Sequence, residues 1–306
     1  MNAVPDKPNR IDQLDALEAE SIFIIREVAA ECKNVALLFS GGKDSAVLLK
    51  LAEKAFYPTP MPLTLLHIDT GHNYPEALLF RDQRARESGA RLVVRAVEDS
   101  IAQGRVQMAS EDASRNAAQS VTLVDAIEEL GFDALLGGAR RDEEKARAKE
   151  RVFSHRDAFG QWNPKAQRPE PWTLYNARLK PGENVRVFPI SNWTEIDIWH
   201  YIAREGLELP RLYYSHMREV VRKGHQLVPV THLTPPKPGD EIETIPVRYR
   251  TVGDMSCTCP VESLAATPDE IIAETLATSI SERGATRMDD ATDEASMELR
   301  KREGYF

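Results

Sequence analysis

NVALLFSGGKDSAVLLKL, residues 34–51, joins a short apolar run to a glycine turn and then to a second apolar run. The first run, Val35 to Phe39, is continuous, as in a strand that is covered on both faces. In the second run, Val47, Leu48 and Leu51 recur at helical spacing. The stretch therefore predicts a buried strand, a tight turn and an amphipathic helix.

The turn itself, Ser-Gly-Gly-Lys-Asp-Ser at residues 40–45, has the composition of a phosphate-binding loop. The N-terminus of a helix presents backbone N–H groups and the positive end of the helix dipole, and glycines allow a phosphate to approach them. Glycine pairs alone also occur in plain strand-to-helix turns, but the whole hexapeptide after a buried strand is much more specific. We therefore interpret six residues as nucleotide-binding: Ser40, Gly41, Gly42, Lys43, Asp44 and Ser45.

Strand and helix patterns alternate along the first two thirds of the chain. Apolar runs at residues 62–71, 90–97, 132–139 and 184–190 predict four further strands, and helical periodicity is found at residues 11–29, 75–88 and 119–130. This alternation predicts an α/β fold, doubly wound around a mainly parallel five-stranded sheet. After residue 205 the alternation ends. We expect an α/β nucleotide-binding domain over residues 1–205 and an irregular C-terminal extension over residues 206–306.

Several special residues follow the ends of these strands, where parallel α/β sheets bind their ligands. Gly138 lies at the end of the fourth strand, and Arg140 and Arg141 come directly after it. A planar guanidinium group can hold two oxygens of a sulfate or phosphate at once, so both arginines are candidate catalytic residues. The alternative is a solvated helix face, in which the glutamates of residues 143–150 pair with neighbouring basic residues.

The composition is that of an ordinary globular protein, and it disfavours several classes of function. The chain has 306 residues, 42% of them hydrophobic, and a formal net charge of −9, which argues against nonspecific binding to nucleic acid. We expect no membrane span and no signal peptide, because no long apolar stretch occurs and the N-terminus lacks the signal pattern. The three cysteines, Cys32, Cys257 and Cys259, are too few for a disulfide framework and suit a cytoplasmic protein.

The loop at residues 40–45 is neither a Walker A motif nor the Gly-x-Gly-x-x-Gly of dinucleotide sites. It resembles the PP-loop of the ATP pyrophosphatases, the adenine nucleotide α-hydrolase superfamily. Four other stretches narrow the resemblance: LLHIDTGHNYPE at 65–76, GGARRDEE at 137–144, VRVFPISNWTEIDIWHYI at 185–202 and REGYF at 302–306. Together they resemble the family of small, catalytic subunits of bacterial sulfate adenylyltransferases, from about residue 10 to Phe306.

This resemblance implies adenylyl transfer from ATP to sulfate. A sulfate oxygen attacks the α phosphorus of ATP, and adenosine 5′-phosphosulfate and pyrophosphate are formed. A reaction between two anions needs positive charge from the protein, so Lys43, Arg140 and Arg141 are the expected catalytic residues. Asp69 and Gly138, at the ends of the second and fourth strands, are expected to join the loop in binding the nucleotide.

Magnesium is the one cofactor that we expect, and it would arrive with ATP. Asp44 and Asp69 could help to place it, because hard oxygen ligands suit Mg²⁺. Capping of the helix N-terminus is the alternative role for Asp44, and the sequence does not separate the two. No other metal site and no bound organic cofactor are expected.

The family's small subunit works with a larger subunit that hydrolyses GTP. Formation of a phosphate–sulfate anhydride is strongly uphill, so coupling to GTP hydrolysis is physically sensible. This chain has no Gly-x-x-x-x-Gly-Lys-Ser/Thr motif, and we therefore expect a separate GTPase subunit as partner. The Pro-rich stretch 229–246 and the C-terminal tail are the candidate contacts, and no nucleic acid or membrane partner is expected.

Alternative functions within the superfamily need features that this chain lacks. A sulfonucleotide reductase would need a reactive cysteine near the C-terminus, and no cysteine follows Cys259. Enzymes of tRNA thiolation would favour a basic RNA-binding domain or paired Cys-x-x-Cys motifs. A nucleotide sensor without catalytic activity would not need both an intact loop and an arginine cluster. Cys257-Thr258-Cys259 is two ligands short of a tetrahedral metal site, so we expect unligated thiols there.

Overall fold

The computed structural model describes residues 12–108, 115–143 and 150–278. Its α-helices are α1 Gln13–Glu31, α2 Lys43–Phe56, α3 Pro75–Ser88, α4 Val97–Ala102, α5 Asn116–Leu130, α6 Glu195–Glu205 and α7 Pro268–Ala277. Its strands are β1 Val35–Leu38, β2 Thr64–Asp69, β3 Leu92–Ala96, β4 Ala134–Leu136, β5 Phe153–Arg156, β6 Asn184–Val187, β7 His216–Lys223, β8 Gln226–Pro229, β9 Ile242–Arg248 and β10 Val261–Glu262. None of the helices in these ranges has the length and apolar character needed to cross a bilayer.

The main sheet contains six strands in the order β3-β2-β1-β4-β6-β5. The five strands expected from the sequence are all present and parallel, so the predicted doubly wound α/β fold is confirmed. The expected count of five is corrected to six, because β5 adds to the edge antiparallel to β6. Its sequence, Phe-Ser-His-Arg, contains no apolar run, which is why the pattern gave no strand there.

Helices cover the sheet on both faces, and successive residues of β1 show the two layers. Leu37 packs into a large apolar core with α1, α2 and α6, whereas Ala36 packs into a second core with α5. The alternation follows from the two-residue period of a strand, which sends neighbouring side chains to opposite faces. The carboxyl ends of β1, β2 and β4 therefore meet at one rim between the two layers.

The chain after residue 206 is not irregular, and that part of the prediction is corrected. It forms a four-stranded antiparallel sheet in the order β10-β9-β7-β8. The pattern was hidden because β7, His-Met-Arg-Glu-Val-Val-Arg-Lys, is rich in charged residues and β9 contains Pro246. The helix α7 then returns to the main core, where Ile271 packs in the same cluster as Ile198 of α6. The division of the chain at residues 205 and 206 stays a prediction.

Candidate active site

The loop between β1 and α2 is held in a conformation that requires glycine at residue 41. Gly41 has φ +76°, and a Cβ atom placed on it would lie 2.7 Å from the carbonyl oxygen of Ala77 in α3. Gly42 follows as the N-cap of α2. The two serines close the loop: Ser40 Oγ lies 3.3 Å from Ser45 Oγ, and Ser45 Oγ donates to the carbonyl of Gly42 at 2.9 Å. The N-terminus of α2 is thereby presented at the rim of the sheet.

Lys43 is fully buried rather than extended into solvent. Its Nζ donates to Oδ2 of Asp44 at 3.1 Å, and its backbone N–H donates to the hydroxyl of Tyr213 at 2.9 Å. The same Nζ lies 5.9 Å from the centre of the Tyr213 ring. Tyr213 comes from a segment 170 residues further along the chain, and no pattern in the sequence pointed to it.

Arg140 completes a buried ionic cluster around Asp44. Its Nε donates to Oδ1 of Asp44 at 2.8 Å, and the arginine is only 1% exposed. Burial alone would raise the pKa of Asp44, but the charges of Lys43 and Arg140 outweigh it and hold that pKa below its ordinary value. One ionised carboxylate therefore holds two cations at the N-terminus of α2. We call Lys43, Asp44 and Arg140 the loop cluster.

Gly138 brings the end of β4 close enough for this contact. A Cβ atom on Gly138 would lie 3.2 Å from Cβ of Asp44 and 3.4 Å from the backbone nitrogen of Ser45. The absent side chain thus lets the chain after β4 pack against the first turn of α2. This packing places Arg140, two residues later, beside Asp44.

The structure separates the two consecutive arginines. Arg141 Nη1 donates to the side chain of Asn192, and its Nη2 donates to the carbonyl of Glu150 at 3.3 Å. These partners lie away from the loop cluster, which Arg140 alone of the two joins. The catalytic role expected for Arg141 stays a prediction.

A second buried ion pair, missed by the sequence analysis, supports the loop cluster. Glu195, in the first turn of α6, accepts from Nη2 of Arg250 at 2.5 Å. Burial opposes ionisation of Glu195, but Arg250 and Lys43 together hold its pKa below the ordinary value. The backbone N–H of Glu195 donates to Asp142 at 3.1 Å, and Asp142 lies 3.7 Å from Nη1 of Arg140. Only the approach of distant segments reveals this pair: Glu195 stands in the quoted stretch 185–202, but its partner Arg250 lies 55 residues further along the chain, outside any motif.

Two clefts are lined in part by residues of the loop. The larger, of about 200 Å³, has apolar walls suited to the flat face of a base; its lining includes Leu38, Phe39, Leu66, Ile68 and Leu123, with Ser40, Asp44, Ser45 and Gly138. The smaller, of about 110 Å³, is lined by residues that include Ser40, Gly42, Asp44, Ser45, Tyr213 and Thr251. Because Ser40, Asp44 and Ser45 line both, a ligand with a base and a phosphate chain could occupy both clefts across the loop.

The residues near the end of β2 are bound to their own surroundings. Asp69 Oδ1 accepts from the backbone N–H of Gly71 at 2.8 Å, and Oδ2 lies 3.9 Å from Arg81. Its expected contact with the nucleotide stays a prediction. His67 lies 2.9 Å through Nδ1 from the carbonyl of Phe39, and burial together with the charge of Arg81 lowers its pKa to about 4. At neutral pH the buried imidazole of His67 is therefore uncharged.

The loop cluster is electrostatically unfavourable for a magnesium ion bound directly to Asp44, because two cations already lie against that carboxylate. Both carboxylate oxygens already accept hydrogen bonds from cations, Oδ1 from Arg140 and Oδ2 from Lys43. Within the described part of the chain, no group of three or more His, Cys, Asp or Glu side chains could hold a metal ion. The charges of Lys43 and Arg140 oppose a third cation at Asp44, and the role of Asp44 in placing magnesium stays a prediction.

Comparison with known proteins places the chain among close relatives. It matches the family model of the phosphoadenosine phosphosulfate reductase domain over residues 34–260. It is 55% identical to sulfate adenylyltransferase subunit 2 of Streptomyces lavendulae, over 98% of this chain and 94% of that protein. It is 58% identical to the protein of the same name from Mycolicibacterium vanbaalenii, over 97% of this chain and 95% of that protein.

Similarity to solved structures is more distant. The crystal structure of FMN adenylyltransferase from Candida glabrata in complex with ATP aligns over 93% of this chain and 91% of that chain. The sequence identity is 14% and the TM-score is 0.49. A likeness at this level carries no functional argument.

Proposed function

The chain belongs to the family of sulfate adenylyltransferase subunit 2, and from this membership we propose that it transfers the adenylyl group of ATP to sulfate. The products are adenosine 5′-phosphosulfate and pyrophosphate. The observation that carries the proposal is the loop cluster, in which Lys43, Asp44 and Arg140 meet at the N-terminus of α2. As a member of this family the chain is a nucleotidyltransferase. The loop cluster is where the phosphates of ATP would bind.

The loop cluster suits a reaction between two anions. A sulfate oxygen forms the new bond to the α phosphorus, and the bond from that phosphorus to the bridging oxygen of the β phosphate breaks. No proton needs to be removed, because sulfate is already ionised at neutral pH. The protein's contribution is therefore orientation and positive charge, the two effects that stabilise phosphoryl-type transition states. Buried Lys43 and Arg140 supply that charge without prior reorganisation.

Asp44 acts by holding the two cations in place. With its pKa below the ordinary value, the carboxylate is ionised at neutral pH and accepts one hydrogen bond from each cation. Lys43 and Arg140 therefore keep fixed positions before ATP binds, and the leaving pyrophosphate meets a preformed site. Tyr213 fixes the backbone of Lys43 from the opposite side.

Mg²⁺ is proposed to accompany ATP, held mainly by the phosphate oxygens and water. Bound in this way, it would supply charge to the triphosphate. Asp69 is a better candidate than Asp44 for a contact with this ion through water. Only one of its carboxylate oxygens accepts a hydrogen bond from the backbone, and its side chain is 26% exposed.

We further propose that turnover is coupled to GTP hydrolysis by a separate, larger subunit. The uphill formation of the anhydride and the lack of a Walker A motif in this chain support a partner of that kind. The stretch 229–246 is a candidate contact, because its prolines at residues 235, 236 and 238 are exposed beside the antiparallel sheet. The C-terminal tail, the other candidate, lies outside the described residues.

The test is sulfate-dependent release of pyrophosphate from MgATP. The chain would be assayed alone, with a GTPase partner, and with that partner plus GTP. We expect useful turnover in the last case only, and loss of turnover in Lys43→Ala with unchanged circular dichroism. Full activity of the chain alone would refute the coupling, and wild-type activity of the Lys43 variant would refute the assigned site.

The state of the thiols argues against a reductase. All three cysteines are buried, and burial raises the pKa of Cys32 and of Cys259 to about 12. Thiols of this kind are not thiolates at neutral pH and are poor nucleophiles. A sulfite assay with a thiol donor is expected to give no product.

A further inference from the structure

Two arginines are buried side by side at the edge of the main sheet. Arg156 in β5 and Arg186 in β6 are each 1% exposed. Ser154 stands opposite Arg186 in the antiparallel register, and Arg156 stands opposite Asn184. Residues opposite each other, and residues two apart along a strand, point to the same face of a sheet. These four side chains therefore share one face, on which Arg156 is a diagonal neighbour of Arg186.

The hydrogen-bonding capacity of this pair is largely unused. Arg156 donates through Nη1 to Ser154 Oγ at 2.6 Å, and its Nη2 lies 3.3 Å from Glu150. Across the described ranges, Nε of Arg156 and all three nitrogens of Arg186 have no hydrogen-bond partner. Buried guanidinium groups are normally paired, because an uncompensated interior charge is strongly unfavourable.

The charges of the cluster also lack balance. Burial, together with the neighbouring charge of Arg156, lowers the pKa of Arg186 to about 9, and Glu150 is the one carboxylate that counteracts this shift. Guanidinium groups are not deprotonated in proteins, so both arginines carry a charge at neutral pH. Among the residues that the structure describes, these two cations and Glu150 leave an excess of positive charge, and most of the unused N–H donors belong to Arg186.

We propose that Arg156 and Arg186 bind a tetrahedral oxyanion of the sulfate or phosphate type. Arg186 offers two N–H groups in a planar fork, which matches two oxygens of such an anion, and Nε of Arg156 offers a third donor. The anion would satisfy these donors and balance the excess charge. We call this arrangement the edge site.

The edge site is separate from the loop cluster. Arg186 pairs in the sheet with Leu135 of β4, three residues before Gly138, whereas the loop cluster lies beyond the end of that strand. Leu135 and Leu123 belong to the apolar core under α5, and Leu123 also lines the larger cleft. An anion at the edge site therefore lies on the same face of the sheet as the cleft but one strand further out. The inference goes beyond adenylyl transfer and does not depend on it.

The test is thermal unfolding of the full chain in sodium sulfate, sodium phosphate and sodium chloride at equal ionic strength. An anion that binds the folded state alone raises the melting temperature in a saturable manner, whereas general exclusion of sulfate from the surface does not saturate. We expect a saturable rise with sulfate or phosphate above the chloride curve. The salt with the lower half-saturating concentration contains the anion that the edge site prefers.

Three variants locate that effect. Lys43→Ala, which removes a cation of the loop cluster, and Arg91→Met, which removes an exposed arginine, should both retain the saturable rise. Arg186→Met should abolish it. In chloride this variant should melt no lower than the wild type, because methionine removes an unpaired buried charge, and in sulfate it should melt lower. If Arg186 were hydrogen-bonded to protein groups, Arg186→Met should melt below the wild type in both salts, so a change in the order of the two melting temperatures between chloride and sulfate would not occur.

The outcomes decide the proposal. No saturable rise in the wild type, or a rise that is lost in Lys43→Ala and kept in Arg186→Met, would overturn it. If Arg186→Met does not fold, Arg186→Lys replaces it. Lysine keeps the charge but loses the fork, so the half-saturating concentration should rise about tenfold or more. An unchanged half-saturating concentration would then overturn the edge site.

Discussion

Gly41→Ala should disable the site through backbone geometry alone. Alanine in the left-handed region costs roughly 1–2 kcal/mol, and the φ of Gly41 is +76°. The new Cβ would also lie 2.7 Å from the carbonyl oxygen of Ala77, so the loop must move by about 0.7 Å to reach the 3.4 Å of ordinary contact. Misplacement by about 1 Å can cost on the order of 100-fold in rate. We expect kcat/KM to fall between about 10-fold and 100-fold.

Gly89→Ala is the matched control for this prediction. Gly89 ends α3 with φ +65°, and a Cβ atom there would meet nothing within 4 Å. Both variants should lose roughly 1–2 kcal/mol of unfolding free energy from the backbone term, but Gly89→Ala should keep wild-type activity. The assays are melting temperature and sulfate-dependent pyrophosphate release with the partner present. Equal activity of the two variants would refute the idea that contact between the loop and α3 sets the phosphate site.

Three further outcomes follow from the charges and thiols. Arg140→Lys should lower kcat/KM at least about tenfold, since the Nε bond to Asp44 is lost, whereas Arg141→Lys should stay within about threefold; similar losses in both would contradict the placement. The folded protein holds the pKa of Asp44 below its ordinary value of 3.8. The ionised carboxylate therefore stabilises the fold fully at any pH above 3.8, and this stabilisation is lost as the pH falls through the lower pKa of the folded state. The difference in melting temperature between wild type and Asp44→Asn should accordingly narrow only in acid. Iodoacetamide at neutral pH should leave turnover unchanged, because burial raises the pKa of Cys32 and Cys259 to about 12; rapid inactivation would indicate an accessible thiolate.

The parts of the fold that could be predicted are those whose pattern is local. Four of the five parallel strands, β1, β2, β4 and β6, are buried along most of their length, and β3 at the edge is a mainly apolar run that is only partly buried. The strand β5 was not predicted, because Arg156 and Ser154 face a polar cluster and the strand therefore has no apolar pattern. The antiparallel sheet after residue 206 was not predicted for two reasons. Its strand β7 is rich in charged residues, as solvent-facing strands are, and Pro246 in β9 is normally a sign against a strand.

In the candidate site, too, the residues of a contiguous motif could be predicted, and those brought in by distant segments could not. The loop at residues 40–45 and the relatives' family could be predicted, because the hexapeptide is contiguous and the resemblance extends along the chain; relatives 55% and 58% identical confirm that identification. Tyr213, Glu195 and Arg250 could not be predicted, since each reaches the cluster only through contacts between segments far apart in sequence. Glu195 stands in the stretch 185–202 that carried the resemblance, but nothing in that stretch points to its contact with Arg250, and Tyr213 and Arg250 lie outside any motif.

The two adjacent arginines show why residue type does not assign a role. After β4 the chain passes the first turn of α2 at Gly138, and Arg140 is the residue whose side chain then faces Asp44. Arg141, one residue later, faces Asn192 instead. A cation that is hydrogen-bonded to a carboxylate also differs from a solvated cation. Its position is fixed before the ligand binds, and until then the carboxylate balances part of its charge. A trianionic or tetraanionic phosphate chain outweighs the single carboxylate, so the cluster should prefer polyphosphate to a lone monoanion, which is the selectivity that a pyrophosphate-releasing enzyme requires.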